Sequence, residues 1–146
     1  MSNIVCSPIK GRLIPITEVN DEMFAKKMIG DGVAIIPQEK EIYSPIDGEV
    51  IMVYKTEHAI ALKGKNEILI HIGIDTVELE GKPFTTKVKI GDKVKKGDLL
   101  TIVDWNYIIK EGKDIVVPII VTDNKAITII KDNGDILVGE PIYKIE

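Results

Sequence analysis

The sequence predicts an all-β protein, an antiparallel β-sandwich or barrel with only short helical turns. Three observations carry that expectation. β-branched residues recur in short runs divided by glycine, proline, asparagine and aspartate, the pattern of many short strands joined by turns. Along several of these runs residues alternate between two faces, as they do on a pleated strand. Helical periodicity never extends beyond about a dozen residues, too little for the crossovers of a parallel α/β sheet. At 146 residues, 45% of them hydrophobic, the chain is long enough to bury a real core, and residues 1–146 read as one domain.

The elements follow in chain order. "CSPIKGRLIPI" (6–16) and "YSPIDGEVIMV" (43–53) share Ser-Pro-Ile-X-Gly before an apolar run. Two strands of related geometry therefore enter through similar turns, over a stretch too short to be a solenoid repeat. "NDEMFAKKMIG" (20–30) has an Asn20/Asp21 cap, an apolar stripe of Met23, Phe24 and Met28, and a closing glycine, which suits one or two helical turns. "VYKTEHAIALKG" (53–64) reads as a strand, "KGKN" (63–66) as a hairpin turn, and "EILIHIGI" (67–74) as the next strand. "KVKIGDKVKK" (87–96) is the wet face of a strand and turn rather than a basic patch. "DLLTIVDW" (98–105) is a strand, and "DWNYIIKEGK" (104–113) a short helical turn starting at Asp104 and ending near Gly112. "DIVVPIIVT" (114–122), "AITIIKD" (126–132) and "DILVGEPIYKI" (135–145) complete the strand series.

Composition excludes several functions. A net charge of −4 and a pI near 5.3 argue against nucleic acid as a partner. "MSNIVCSPIKGR" has no apolar h-region and no small-residue cleavage site, and runs such as "IVVPII" (115–120) fall far short of the roughly 20 residues of a membrane helix. The single cysteine, Cys6, permits no internal disulfide and reads as a small apolar residue. These features together point to a reducing, cytoplasmic setting.

The chain has two histidines, and one of them interrupts a run of isoleucines in "ILIHIGIDT" (68–76). Alternation sets Ile68, Ile70, Ile72 and Ile74 on a core face and Leu69, His71 and Gly73 on the other. It also sets Tyr54, Thr56, His58, Ile60 and Leu62 on one face of the preceding strand. If "KGKN" closes a hairpin, His58 and His71 come within cross-strand reach. Thr56 is then able to hydrogen-bond the His58 ring and fix its tautomer. Pattern alone leaves open whether the pair is functional or structural. Two histidines are too few for a structural zinc site, and a hydrolytic one needs a third protein ligand such as Asp75.

"GDGVAIIP" (30–37), "SPIDGEV" (44–50), "TEHAIAL" (56–62), "HIGIDTVELEGKPF" (71–84) and "GDKVKKGDLL" (91–100), in that order, resemble the glucose-type enzyme IIA family of the bacterial phosphoenolpyruvate-dependent sugar phosphotransferase system. The resemblance implies an antiparallel β-sandwich and a phosphotransferase component. In the family a histidine takes a phosphoryl group from HPr and passes it to a cysteine of a IIB domain, part of a IIBC sugar transporter. By motif position His71 is that acceptor, His58 donates a hydrogen bond to the phosphoryl oxygens, and Thr56 orients His58. An apolar docking rim would comprise Met23, Phe24, Ile29, Tyr54 and Leu69, flanked by the carboxylates Asp21 and Asp75. The resemblance implies a monomer that needs no cofactor. Zinc shared by His58, His71 and a partner's carboxylate is compatible with it but not required. Glu22 departs from the often apolar family position. The chain also begins almost at its first strand, without the amphipathic extension some enteric members use at membranes, so no direct membrane insertion is expected.

Two other readings compete. "PIDGEV" and "VKIGDKVKKGDLL" resemble lipoyl and biotinyl carrier domains, but "TIVDWNY" follows without the lysine such domains modify. A zinc-dependent hydrolase of the lysostaphin type carries a His-X-His pair, whereas Ile72 and Gly73 follow His71.

Overall fold

A computed structural model describes residues 3–146. Among the described residues the backbone forms fourteen strands. They are β1 (Ile4–Cys6), β2 (Gly11–Pro15), β3 (Asp31–Pro37), β4 (Glu41–Tyr43), β5 (Gly48–Val53), β6 (Ala59–Lys63) and β7 (Glu67–His71), then β8 (Phe84–Thr86), β9 (Lys93–Val94), β10 (Leu99–Val103), β11 (Val117–Val121), β12 (Ile127–Ile129), β13 (Gly134–Ile136) and β14 (Pro141–Ile145). Two short α-helices, α1 (Glu22–Ala25) and α2 (Trp105–Lys110), start at Asp21 and Asp104, whose carboxylates accept from the amides of Met23 and Tyr107. Such caps satisfy backbone donors that have no partner inside the helix.

All pairings are antiparallel. An eight-stranded sheet has the order β13-β2-β3-β11-β7-β6-β5-β9, and two three-stranded sheets have the orders β1-β14-β12 and β4-β10-β8. The main core gathers the inward faces of all three, from Val5 and Ile142 through Ile42 and Leu100 to Ile60, Ile70 and Ile119. A second cluster lies on the opposite face of the central strands, where Ala34, Ala59, Leu69 and Ile120 pack under Ile16, Val19 and Phe24. Strands buried on both faces lose the clean apolar–polar alternation, which is why all five residues of β11 are apolar and buried.

The short echo in the sequence is one part of an internal two-fold arrangement. Cys6 N–H donates to Pro45 O (3.1 Å), and Tyr43 N–H donates to Pro8 O (2.8 Å). Ser7 and Ser44 each donate through Oγ to the carbonyl two residues on, at 2.7 Å in both cases. Ser7 exchanges bonds with Glu140 and Gly139 as Ser44 does with Asp98 and Gly97. The order of the large sheet likewise maps onto itself about its β11–β7 centre, and β1-β14-β12 matches β4-β10-β8. Gly11 and Gly48 occupy equivalent places: a Cβ would stand 2.2 Å from Ile36 O in one and 2.6 Å from Lys63 O in the other. Only glycine admits a neighbouring backbone so closely.

The two halves differ in two connections. Between β2 and β3 run residues 16–30, which carry α1, whereas the equivalent β5–β6 connection is a tight turn over residues 54–58. Between β7 and β8 run residues 72–83, with a single-turn helix at Thr76–Leu79, whereas residues 122–126 join β11 to β12.

Several expectations need correction. Residues 53–64 are not one strand: β5 ends at Val53, the chain turns, and β6 begins at Ala59, because Tyr54 N–H bonds Ala59 O and Glu57 N–H bonds Tyr54 O. Residues 135–145 are split between β13 and β14, with Gly139 at positive φ in the turn between them. The α1 stripe is not a buried face, for Phe24 is buried but Met23 and Met28 are exposed. Helix α1 closes at Lys26 and Lys27 rather than Gly30, whose Cβ would collide with Val121 O. Ile74 leaves the main core for the second cluster, since the chain turns at Gly73 and ends the pleat.

Candidate functional site

The β6–β7 hairpin closes through residues 64–66 and sets Ala59 opposite His71. Strand β7 ends at His71, and the register with β11 explains why. Ile70 faces Ile119, so one step further Pro118 faces His71. A proline has no N–H to offer the ladder, and pairing stops there. Released from the sheet, the chain turns at Gly73, whose φ is +78°. The Gly73 carbonyl then lies 2.7 Å from His71 Nδ1. A carbonyl only accepts, so Nδ1 carries the proton and Nε2 keeps its lone pair.

His58 reaches the same place by a departure from the pleat. Alternation alone would aim it with Ile60 and Leu62 into the main core, away from His71. Glu57, in the left-handed region at φ 59°, ends the turn, and His58 precedes the regular strand. Its ring centroid lies 5.2 Å from that of His71, edge to face at 78°. Thr56 Oγ1 is 2.6 Å from His58 Nδ1, and the His58 carbonyl accepts from Ile72 N–H at 2.7 Å. Phe24 lies against His71 at 4.9 Å and Tyr54 against His58 at 5.3 Å, so four rings form a continuous row.

Burial lowers the pKa of His58 to about 4, helped by the neighbouring His71. For His71, burial also lowers the pKa, against opposing contributions from the Gly73 carbonyl, Asp21 and Asp75. Desolvation disfavours the charged imidazolium, so both rings are neutral at pH 7. A neutral imidazole with one nitrogen proton-locked and the other free is a nucleophile of defined direction. Among the described residues no group of three or more His, Cys, Asp or Glu is placed to hold a metal ion. No helix among them is long and apolar enough to cross a membrane.

The family model for the phosphoenolpyruvate-dependent sugar phosphotransferase system, EIIA 1, matches residues 3–127. The chain belongs to that family. It is a glucose-type IIA phosphocarrier, a phosphotransferase component of sugar transport, and members of its family work with HPr and a IIB domain. Among solved structures it is similar to the glucose permease IIA from Mycoplasma capricolum, with 36% identity and a TM-score of 0.92 over 98% of this chain and 95% of that one.

On this IIA chain the expected rim divides into two kinds of residue. Met23 and Tyr54 are exposed, Ile29 is half-buried, and Phe24 and Leu69 are buried. Phe24 and Leu69 thus floor the histidine face, and the exposed groups stand around them. Asp21 caps α1 and Asp75 takes a left-handed conformation after the motif glycine, and both charges act on His71. Sequence reasoning missed Met52 and Val77, which are exposed apolar side chains. Met52 pairs with Ala61, which pairs with Leu69, and so extends the same face. It also missed Pro118 and Thr76 as builders of the site, and it took Gly73 as open space next to the His71 ring, whereas the Gly73 carbonyl holds Nδ1 and Thr76 Cγ2 and Asp114 O crowd the place of a Cβ. The "IDT" that follows Gly73 in the motif was the one available signal.

Proposed function

We propose that His71 Nε2 accepts a phosphoryl group from phospho-HPr and passes it to a cysteine thiolate of the IIB domain of a IIBC sugar transporter. The observation that supports this reading is the 2.7 Å contact of His71 Nδ1 with the Gly73 carbonyl, which leaves Nε2 as the nucleophilic atom. In the loading step the His71 Nε2 lone pair forms a nitrogen–phosphorus bond while the corresponding bond to the donor histidine breaks; the donor, protonated on its other ring nitrogen, leaves as neutral imidazole, and His71 keeps its own proton on Nδ1. In the onward step the thiolate displaces His71, whose proton stays on Nδ1. Such transfers ask chiefly for positioning and stabilisation of charge on the phosphoryl oxygens.

His58 supports the relay without carrying the group. With the Thr56 hydroxyl donating to Nδ1, the His58 proton sits on Nε2, free to bond a phosphoryl oxygen. The carboxylates Asp21 and Asp75 flank a site that receives an anion. They favour partners that bring positive charge and so raise encounter rate and selectivity. Met23, Tyr54 and Ile29, over Phe24 and Leu69, form the apolar contact for both partners. Residues 1–146 act as one monomeric domain in the cytoplasm, with no nucleic-acid partner and no membrane insertion. The reaction requires no cofactor. His58 and His71 would supply two of the four ligands of a tetrahedral zinc, and a partner would have to complete it.

Loading with phosphoenolpyruvate, enzyme I and HPr, read by intact mass, tests the assignment. Wild type and His58→Gln gain one phosphoryl group and His71→Gln gains none, while His58→Gln is slowed in transfer to IIB. A folded His71→Gln that still loads, or a folded His58→Gln that does not load at all, overturns the roles given.

A further inference from the structure

We propose that Thr76 is a positioning residue that holds both imidazoles through one hydroxyl; this rests on His71 being the phosphoryl acceptor. Thr76 is fully buried, between an exposed Asp75 and an exposed Val77. It belongs to no partner surface, so whatever it contributes is transmitted through its contacts. The single helical turn Thr76–Leu79 has no side-chain cap from Asp75. Instead Thr76 Oγ1 donates back to the Ile72 carbonyl at 2.5 Å.

Ile72 and Gly73 connect that hydroxyl to the two rings. The Ile72 amide donates to the His58 carbonyl at 2.7 Å, so an anchored Ile72 fixes the backbone that bears His58. The next residue, Gly73, supplies the carbonyl that fixes His71 Nδ1. A Cβ on Gly73 would stand 2.6 Å from Thr76 Cγ2 and 2.8 Å from Asp114 O, so the threonine methyl lies directly on the glycine. The Ile74 amide on the far side of the same peptide unit donates to Asp114 O at 3.0 Å. A peptide unit bonded at both ends is polarised, which strengthens the bond its carbonyl accepts. Without the Thr76 hydroxyl, the Ile72–Gly73 turn loses its inner tether, and the carbonyl that selects the His71 tautomer is free to move. The connection that carries all this, residues 72–83, has no counterpart of its length in the other half of the fold.

The test separates shape from hydrogen bonding and positioning from chemistry. Thr76→Val keeps the shape and removes the donor; Thr76→Ser keeps the donor and removes the methyl. Nitrogen-15 NMR of the histidine rings reads the tautomer in the unloaded protein, and loading from phospho-HPr reads the rate. Thr76→Val is expected to shift His71 from a single Nδ1–H tautomer toward a mixture and to slow loading about 10- to 100-fold, the scale of a small misplacement of a reacting group. Thr76→Ser is expected to keep the wild-type tautomer and load close to the wild-type rate. Thr101→Val, at another buried threonine far along the chain, should alter neither. An unchanged tautomer and rate in Thr76→Val overturns the proposal, as does equal impairment of the Val and Ser variants, which would assign the effect to packing. If Thr76→Val does not fold, Thr76→Cys, a weaker donor of similar size, serves in its place. A rate for it equal to that of Thr76→Ser overturns the proposal. Loading of a folded His71→Gln would instead defeat the acceptor assignment, and the tautomer measurement would then decide for or against Thr76 by itself.

Discussion

Buried beside a second imidazole, His58 holds no proton until about pH 4, whereas the unfolded chain takes one up near 6.5. Between those values the unfolded state binds more protons than the folded one, so stability rises with pH. The contribution is fully present above about 6.5 and is lost as pH falls toward 4, amounting to roughly 1–3 kcal/mol from His58 once solvent screening is allowed for. Denaturant titrations across pH 4–7.5 should show that slope in wild type and a shallower one in His58→Gln. Loading should stay level as pH falls from 8 toward 6.5, because His71 also titrates below its ordinary value. If His71 is the acceptor, as proposed, a phosphoryl dianion arriving next to His58 reverses the electrostatics, since an adjacent negative charge favours imidazolium. The His58 pKa, followed by NMR, should therefore rise on loading. Removing the Thr56 contact in Thr56→Val frees the His58 tautomer and should slow transfer to IIB about tenfold or more while loading is less affected.

Elements place these residues through the points where regular structure ends. His71 lies where Pro118 stops the β7–β11 ladder, and His58 lies where the turn over residues 54–58 has not yet become a strand. The hairpin that joins them, and the caps at Asp21 and Asp104, were legible from local turn and cap residues. The shared face of the two rings was not. Alternation put His58 with Ile60, and only the left-handed Glu57 turn brings it round to His71. Gly48 marks a second element-level constraint. Gly48→Ala would drive a methyl into Lys63 O and should destabilise the protein by about 1–3 kcal/mol in urea unfolding, the range of an overpacking change.

The whole molecule is two similar halves, and the comparison between them tells which polar groups have work to do. Tyr143 in β14 donates its hydroxyl to Ile119 O at 3.1 Å. Its counterpart in β10 is Thr101, fully buried, whose hydroxyl meets no hydrogen-bond partner. Replacing an unsatisfied buried hydroxyl by a methyl relieves its desolvation, so Thr101→Val should raise stability by up to about 1 kcal/mol in thermal or urea unfolding. The net charge of −4 and the carboxylates at Asp21 and Asp75 act at the same scale. Loading should slow as salt rises from about 0.05 to 0.5 M, because charge attraction between partners is screened over a Debye length of roughly 4–14 Å in that range. Asp21→Asn with Asp75→Asn should flatten that dependence, which stopped-flow loading rates can read.

By itself the sequence determined the β class, the β6–β7 hairpin and the family motif that runs from His71, because each is written in residues adjacent along the chain. The tertiary structure alone decided which side chains surround the rings. Phe24 reaches His71 from the β2–β3 connection, Pro118 sits where the β7–β11 register ends beside it, and Thr76 is buried against Gly73. A periodic pattern specifies a face only while the pleat continues. The site stands where the pleat is broken, so its geometry follows from long-range register and packing rather than from local alternation.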